Sequence, residues 1–544
     1  MSGRVWSGSA AALVLAFVAL ILFDSLAEFP LYFFCDEAVQ GAEAQSLLAH
    51  GADRAGVAWP LFFRGHGGYQ LSLSVYWLLP FQWLFGMSEG VVRASHAVAS
   101  LIGVAGAMAF MRRYSPRTLA WLCVPLVFYG SPLWYLHSRT GFEAVISASA
   151  WLVCLAACPD LTHRNDRDRS RGHAEHARWG LFLIAFALCF YGYTPARAWA
   201  PLTLAALVLS QAGRGFDPRR ALLLFGLAGL VMAPFAWTAL TRPEVALARL
   251  YEVTGAGGAP VGDRARAALL RLFSILSPTY WFDAQTRFES WERHTIPGTA
   301  LIPPYYLPFA LTGLVACLVR FRSDERSRAL VLLFPVGVFP GIFVDISPLR
   351  CLPVALVYLL WSAVGVSVVL GAMSGSSRAR AYGGARFRDP AALFTPAIVL
   401  ALGLHVVALH AYATTTAPLS YQDYGFYGVQ SGEREVFREA RRHADRQEAI
   451  RITHAAFNGN EALVDFYLSA EQRRYVTIAD AGKPCIVAGP GRELWILRAE
   501  RWREFKSAVC DVDAQELLTI PDPRGDALFV VAALTQRPTM PASR

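Results

Sequence analysis

Charge is the scarce commodity in this chain. Only 17% of its 544 residues are Asp, Glu, Lys or Arg, against 55% apolar and a mean hydropathy of +0.35. A soluble globular chain carries about 25% charged residues, and this shortfall argues against a string of three or four soluble domains. Lysine is nearly absent: of 50 basic residues only Lys483 and Lys506 are Lys, and the rest are Arg. Internal repeats, low-complexity tracts and one concentrated basic patch are also missing, so the net charge of +9 does not point to nucleic acid. Nine Cys are scattered. Cys154 and Cys158 have a ligand-like spacing, but they sit in an apolar run with no His or carboxylate beside them and read as small packing residues. No clear A-x-A site follows the first apolar run, so that run is expected to be a retained span and not a cleaved signal.

What is present is aromatic and apolar. An aromatic share of 13% excludes disorder, collagen-like repeats and coiled coils. Long apolar runs such as Ala10–Phe23, Ala221–Leu240 and Leu352–Leu370 are separated by short Arg-rich strings, the pattern of a polytopic membrane protein. Eleven spans are expected: one ending near Phe29, then 91–111, 119–136, 143–159, 179–193, 197–211, 221–240, 302–319, 329–345, 351–371 and 391–411.

The positive-inside rule orients them. With the N-terminus inside, the loops 112–118, 160–178, 212–220, 320–328 and 372–390 carry three to five Arg each, whereas the short opposite turns hold single residues such as Arg139, Arg197 and Arg350. This threading requires Tyr69–Gly86, with Tyr69, Gln70, Pro80 and Gln82 among its apolar residues, to lie in the interface without crossing. The expected fold is therefore an all-α polytopic membrane domain over 1–411, with long outside loops at about 29–90 and 241–301. A C-terminal extracytoplasmic domain of α/β or α+β type occupies 412–544. Its strand-like runs are Ala449–Thr453, Tyr475–Ile478, Leu494–Leu497 and Leu528–Ala533, and Glu433–Arg446 is helical in pattern. Cys485 and Cys510 fall in this tail and are placed to pair if it is outside the cytoplasm.

Polar groups gathered on the outer side of the spans are the candidates for chemistry. Asp36 and Glu37 adjoin an aromatic run directly after the first span. Two carboxylates at such a boundary are costly unless a cation balances them. Alternatively, Asp36 caps the adjoining helix and Glu37 favours its positive end. Arg139 and Glu143 stand four apart in a tight turn, where a simple interfacial ion pair or snorkelling is the competing account. Arg197 in Tyr191–Arg197 (with Tyr193) and Arg350 in Asp345–Arg350 face the same side. Arginines at these mouths suit a lipid phosphate, with headgroup anchoring as the alternative. Tyr280-Trp281-Phe282 and Trp291-Glu292-Arg293-His294 crowd aromatics around a His in the second long loop, suited to an interfacial belt or to a sugar-stacking and phosphate-binding loop.

These residues, in this order, resemble the GT-C glycosyltransferases of the protein O-mannosyltransferase and aminoarabinose-transferase type. Asp36-Glu37 at the head of a helix is similar to the family's first outside loop, and Pro60–Phe63, Tyr76-Trp77, Phe85–Ser88 and Arg93 resemble the family's next segment. Arg139 with Glu143 resembles the second acidic loop, where relatives usually have Asp. Arg293-His294 with Pro297-Gly298, Arg350 with Pro353, and Tyr424–Gly428 complete the likeness over about 10–430.

The resemblance implies transfer of a sugar from a polyprenyl-phosphate donor to a lipid, polysaccharide or protein acceptor outside the cytoplasmic membrane. It implies Asp36, Glu37 and Glu143 as catalytic residues, with Asp36 the general base. Arg139, Arg293, His294 and Arg350 would hold the donor phosphate, and Tyr69, Tyr193, Arg197 and Tyr280 would bind substrate. Where some lipid A-modifying relatives have Glu-Lys-Pro-Pro, this chain reads Gln70-Leu71-Ser72-Leu73, which tilts expectation away from a divalent metal and from lipid A. A transporter or flippase would place charges near the bilayer midplane in related halves, and no half-repeat is visible here. A non-catalytic scaffold with the same fold is the third reading.

Overall fold

The structure, a computed structural model, describes residues 2–65, 68–71, 73–114, 119–162, 172–213, 215–248, 261–284, 294–344, 346–374, 390–420, 432–480, 485–486, 492–510 and 512–536. The chain divides into two compact units. The first comprises Met1–Leu26, Pro60–Trp77 and Arg93–Tyr412, and the second Ala27–Trp59, Leu78–Val92 and Ala413–Arg544.

The membrane unit is helical. In chain order α1 is Ser2–Phe23 and α2, which belongs to the second unit, is Cys35–His50; a small hairpin of β1 (Phe62–Gly65) and β2 (Gly68–Leu71) comes next. Then come α3 (Leu73–Phe85), α4 (Glu89–Tyr114), α5 (Val124–Tyr129), α6 (Pro132–Ser138), α7 (Glu143–Ala157), α8 (Gly172–Gly192), α9 (Ala196–Gln211) and α10 (Pro218–Thr241). The series continues with α11 (Val261–Leu276), α12 (Leu307–Val319), α13 (Glu325–Phe343), α14 (Leu352–Ser374) and α15 (Pro390–Ala411).

Local chemistry sets several boundaries. Asp217 accepts from the Arg219 amide at 2.9 Å and Pro218 occupies the first turn of α10. Asp324 accepts from the Ser327 amide at 2.8 Å at the start of α13. Between α12 and α14, Gly313 lies against the Trp361 carbonyl and Gly365 against that of Phe309, a crossing too close for any Cβ.

Among the described residues, five helices are long and apolar enough to cross a membrane: Glu89–Tyr114, Pro218–Thr241, Glu325–Phe343, Leu352–Ala372 and Phe394–Leu419. A sixth crossing results if α6 and α7, bent by 113° at their junction, count as one. Helical residues lie at each of the eleven expected positions, but the other helices are shorter or less apolar than a full span requires, so these helices do not establish the count of eleven. The expected interfacial helix over 69–86 starts later: Tyr69 and Gln70 lie on β2, and only Leu73–Phe85 is helical.

The second unit carries the expected sheet. Its elements are α2, α16 (Glu433–Ala444), β3 (Ala449–Thr453), α17 (Asn460–Tyr467), β4 (Val476–Ala479), β5 (Arg492–Arg498), α18 (Trp502–Ala508), β6 (Val512–Pro521) and β7 (Ala527–Gln536). The strand order is β4-β3-β5-β7-β6, with β3 parallel to β4 and β5 and the β5-β7-β6 side antiparallel. Ile450 and Ile452 of β3 are buried at the strand spacing of two, whereas Glu493–Leu497 of β5 and Phe529–Leu534 of β7 are buried on both faces. Cys485 and Cys510 form a disulfide beside the cluster of Trp495, Phe505 and Leu534. Helix α2 belongs to this body: Glu43, buried, accepts from the Arg54 side chain at 2.9 Å, and Arg54 also pairs with Asp465 on α17.

Candidate active site

In the second unit, the acidic pair sits in the first turn of α2, and its two members differ. Glu37 is fully buried, and its Oε2 accepts a 3.0 Å hydrogen bond from the Phe34 amide, closing the helix start on itself. Asp36 is partly exposed. The capping role expected of Asp36 therefore belongs to Glu37, three positions into the helix, where a carboxylate reaches back to an amide that has no intrahelical partner. The far end of α2 stops at Gly51, left-handed at φ 67°, whose amide reaches Leu47 O at 2.9 Å.

One residue earlier, the Phe33 amide donates to Glu433 Oε1 at 2.9 Å. Glu433 is fully buried, and burial together with the Glu89 charge pushes its carboxyl up to about 8. Glu89 in turn receives Arg434 and the Tyr467 hydroxyl. The rings of Phe33 and Phe466 (4.7 Å) and of Phe437 and Tyr467 (4.9 Å, stacked) close the surroundings. Sequence reasoning singles out neither Glu433 nor Glu89. An acid opening an amphipathic helix reads as an ordinary solvated one, and no local signal says that it is buried.

In the membrane unit, Arg139 is 1% exposed, and its guanidinium serves the C-terminal end of α1. Nη1 donates to Ile21 O at 3.1 Å and Leu22 O at 2.8 Å, and Nη2 to Asp24 O at 2.7 Å. Carbonyls at a helix end are short of donors and carry partial negative charge, so a buried Arg there is well matched. The Asp24 side chain meets His410 Nε2 at 2.9 Å, and His410 Nδ1 meets the Tyr135 hydroxyl at 2.7 Å. Glu143 opens α7 and is partly exposed. His294 is brought to the same turn, its ring 5.3 Å from His137 and 6.1 Å from Phe142. Its loop is fastened by the Tyr412 hydroxyl donating to Pro297 O at 2.7 Å.

The remaining predicted residues spread over this unit. Arg197 donates to Ala246 O at 2.6 Å and lies over the rings of Phe235 and Phe62, at 4.6 and 5.6 Å. Tyr193 packs on Trp199 (5.6 Å), and Tyr69 pairs across the hairpin with Arg64. Tyr280 is fully buried beside Trp281, whose indole donates to Ile275 O. Arg350 is partly exposed in the turn before α14. Arg293 and Tyr424–Gly428 lie outside the described residues. Among the described residues no three or more His, Cys, Asp or Glu gather as a metal ion would need.

The structure overlaps ArnT from Cupriavidus metallidurans in the apo state with a TM-score of 0.58, covering 98% of this chain and 98% of that one at 14% identity. The fold is that of ArnT. The undecaprenyl phosphate-bound form of ArnT from the same organism overlaps with a TM-score of 0.56 at 15% identity, over 96% and 97% of the two chains. ArnT is an aminoarabinose transferase of the GT-C superfamily, so the resemblance read from the sequence is borne out at the level of the fold. No family model and no curated protein matches the sequence.

Proposed function

We propose that this protein is a membrane glycosyltransferase that takes a sugar from a polyprenyl-phosphate donor. The observation that carries the reading is the overlap with ArnT along nearly the whole of both chains, in a form that binds undecaprenyl phosphate. The acids support it over a transporter: Asp24, Asp36 and Glu143 stand at or beside helix ends, not at mid-span.

In this reading the Asp36 carboxylate takes the proton of an acceptor hydroxyl. That oxygen attacks the anomeric carbon, and the bond from carbon to phosphate oxygen breaks with its electron pair leaving on the polyprenyl phosphate. One proton transfer suffices for an inverting displacement. Glu37, committed to the helix start, positions Asp36. Arg293, His294 and Arg350 stabilise the departing phosphate, and Glu143 supports the acceptor side. Arg139 holds the end of α1, Arg197 and Tyr280 act through packing, and Tyr69 and Tyr193 are the aromatic candidates for the sugar. No step is routed through a metal.

Eleven spans, with the N-terminus inside and the tail outside the cytoplasmic membrane, are part of the proposal. The Arg-rich loops support them, as does a Cys485–Cys510 disulfide, which suits an oxidising compartment. The test is turnover of a radiolabelled polyprenyl-phosphate sugar by purified protein. Donor binding and release of free polyprenyl phosphate are expected, and failure of every donor and acceptor pair to react would sink the reading.

A further inference from the structure

The second unit contains a groove of about 1110 Å³, built along the C-terminal half of α2, the turn between α3 and α4, and the end of α17. Small-molecule pockets run to about 300–1,000 Å³, so this one has room for several linked sugar rings. Its charged lining is balanced: Arg434, Arg441 and Arg473 stand against Glu28, Glu89 and Asp465. Two of the three arginines are held by acids of the lining. Arg434 is paired with Glu89 and Arg473 with Asp465, and Arg441 donates to the Tyr467 carbonyl at 2.6 Å.

A groove with no surplus charge has little to offer a phosphate or a polyanion. Its carboxylates and guanidinium groups, however, present both acceptors and donors, which neutral hydroxyl groups can satisfy as both donor and acceptor. Gln82 adds a directional element. It lines the groove and is 3% exposed; its amide nitrogen donates to Gly41 O at 3.1 Å, and its Oε1 has no hydrogen-bond partner among the described residues. A buried acceptor left in this state calls for a donor, and a hydroxyl group supplies one when the Gln82 side chain turns toward the groove.

We propose that this groove binds a neutral oligosaccharide chain, and that the acceptor of the transfer is such a glycan in preference to an anionic lipid or a protein. The acceptor assignment rests on the glycosyltransferase reading above; the binding of the glycan does not.

The experiment uses the full-length protein in lipid nanodiscs. An array of neutral oligosaccharides of four to six residues (glucans, mannans, galactans, arabinans) is read beside a heparin hexasaccharide and an unmodified peptide, and undecaprenyl phosphate binding is measured separately. At least one neutral series is expected to be retained. Gln82→Leu is expected to weaken its binding about tenfold or more, and so is Ala470→Trp, which fills the groove from an exposed position without removing a hydrogen-bonding group. Undecaprenyl phosphate binding should be unchanged in both. Retention of no neutral series, stronger retention of heparin or peptide, or full glycan binding by Ala470→Trp overturns the proposal. Glycan retained with no binding of undecaprenyl phosphate would leave the groove standing and remove the transferase reading, and the converse would remove the groove alone.

Discussion

Glu433 of α16 accepts a 2.9 Å hydrogen bond from the backbone amide of Phe33, three residues before Asp36. The next amide, that of Phe34, is held by Glu37. Two carboxyl groups, distant in sequence, thus fix successive amides of the segment that delivers Asp36. Only Asp36 keeps its side chain partly in solvent.

The carboxyl of Glu433 is raised from 4.5 to about 8, so the folded protein holds a proton there that the unfolded chain releases. This group's contribution to stability is full below pH 4.5, declines as pH rises to about 8, and is level beyond. Glu433→Gln keeps an acceptor for Phe33 and removes the titration. It should flatten the fall in melting temperature between pH 5 and 8 while retaining turnover at pH 7. Glu433→Leu leaves the Phe33 amide buried without that acceptor and should cost about 1–3 kcal/mol. Melts of the full chain across this pH range provide the check, and an unchanged slope in Glu433→Gln would count against the assignment.

Asp36 and Glu37 should separate cleanly on mutation. Asp36→Asn removes the proposed base and is expected to lower turnover about 10²- to 10⁴-fold with the melting temperature and donor affinity unchanged. Glu37→Gln can still accept from the Phe34 amide and should remain near wild type, whereas Glu37→Ala should lose about 1–3 kcal/mol. If Asp36→Asn is fully active, or if Glu37→Gln alone abolishes turnover, the division of roles is wrong.

Arg139 offers a sharp contrast between support and phosphate binding. Three hydrogen bonds from its guanidinium go to carbonyls of Ile21, Leu22 and Asp24. Arg139→Lys retains the charge but loses the fork that spans those carbonyls. It should lower thermal stability while leaving the donor KM within about twofold. A donor KM raised tenfold or more at unchanged stability would instead place the phosphate on this residue.

The legibility of each feature depends on the range of the interaction behind it. β3 forms over Ala449–Thr453 as its pattern requires, and α16 begins at Glu433 and ends within two residues of expectation, because Val436, Phe437, Ala440 and Ala444 make one apolar face. β6 carries no such signal. It is an edge strand with few of its side chains buried, and Glu516, following Gln515, breaks the alternation that would announce it, at the register shift between Glu516 and Leu518. The β1-β2 hairpin is too short to carry a period. The Arg139 contacts with α1 and the Glu433 contact with Phe33 cross more than a hundred residues, and a side chain's partner at that distance leaves no trace in local pattern. Charge placement, by contrast, is readable because it answers to the membrane and not to a partner.

The disulfide between Cys485 and Cys510 turns the proposed orientation into a measurement. A tail outside the cytoplasm should carry this bond in cells, and the two thiols should resist maleimide-PEG in denatured, unreduced extracts and react after reduction. The bond closes a loop across a sequence separation of 25 residues between β4 and β6. Chain-entropy arguments give such a loop about 3 kcal/mol of stabilisation. The Cys485→Ser/Cys510→Ser double variant should therefore melt earlier, through loss of the cluster around Trp495 and Phe505. Its binding of undecaprenyl phosphate should persist at temperatures below that melt. Thiols that react fully without reduction in freshly lysed cells would place the tail in the cytoplasm. They would also invert every loop assigned by the Arg count.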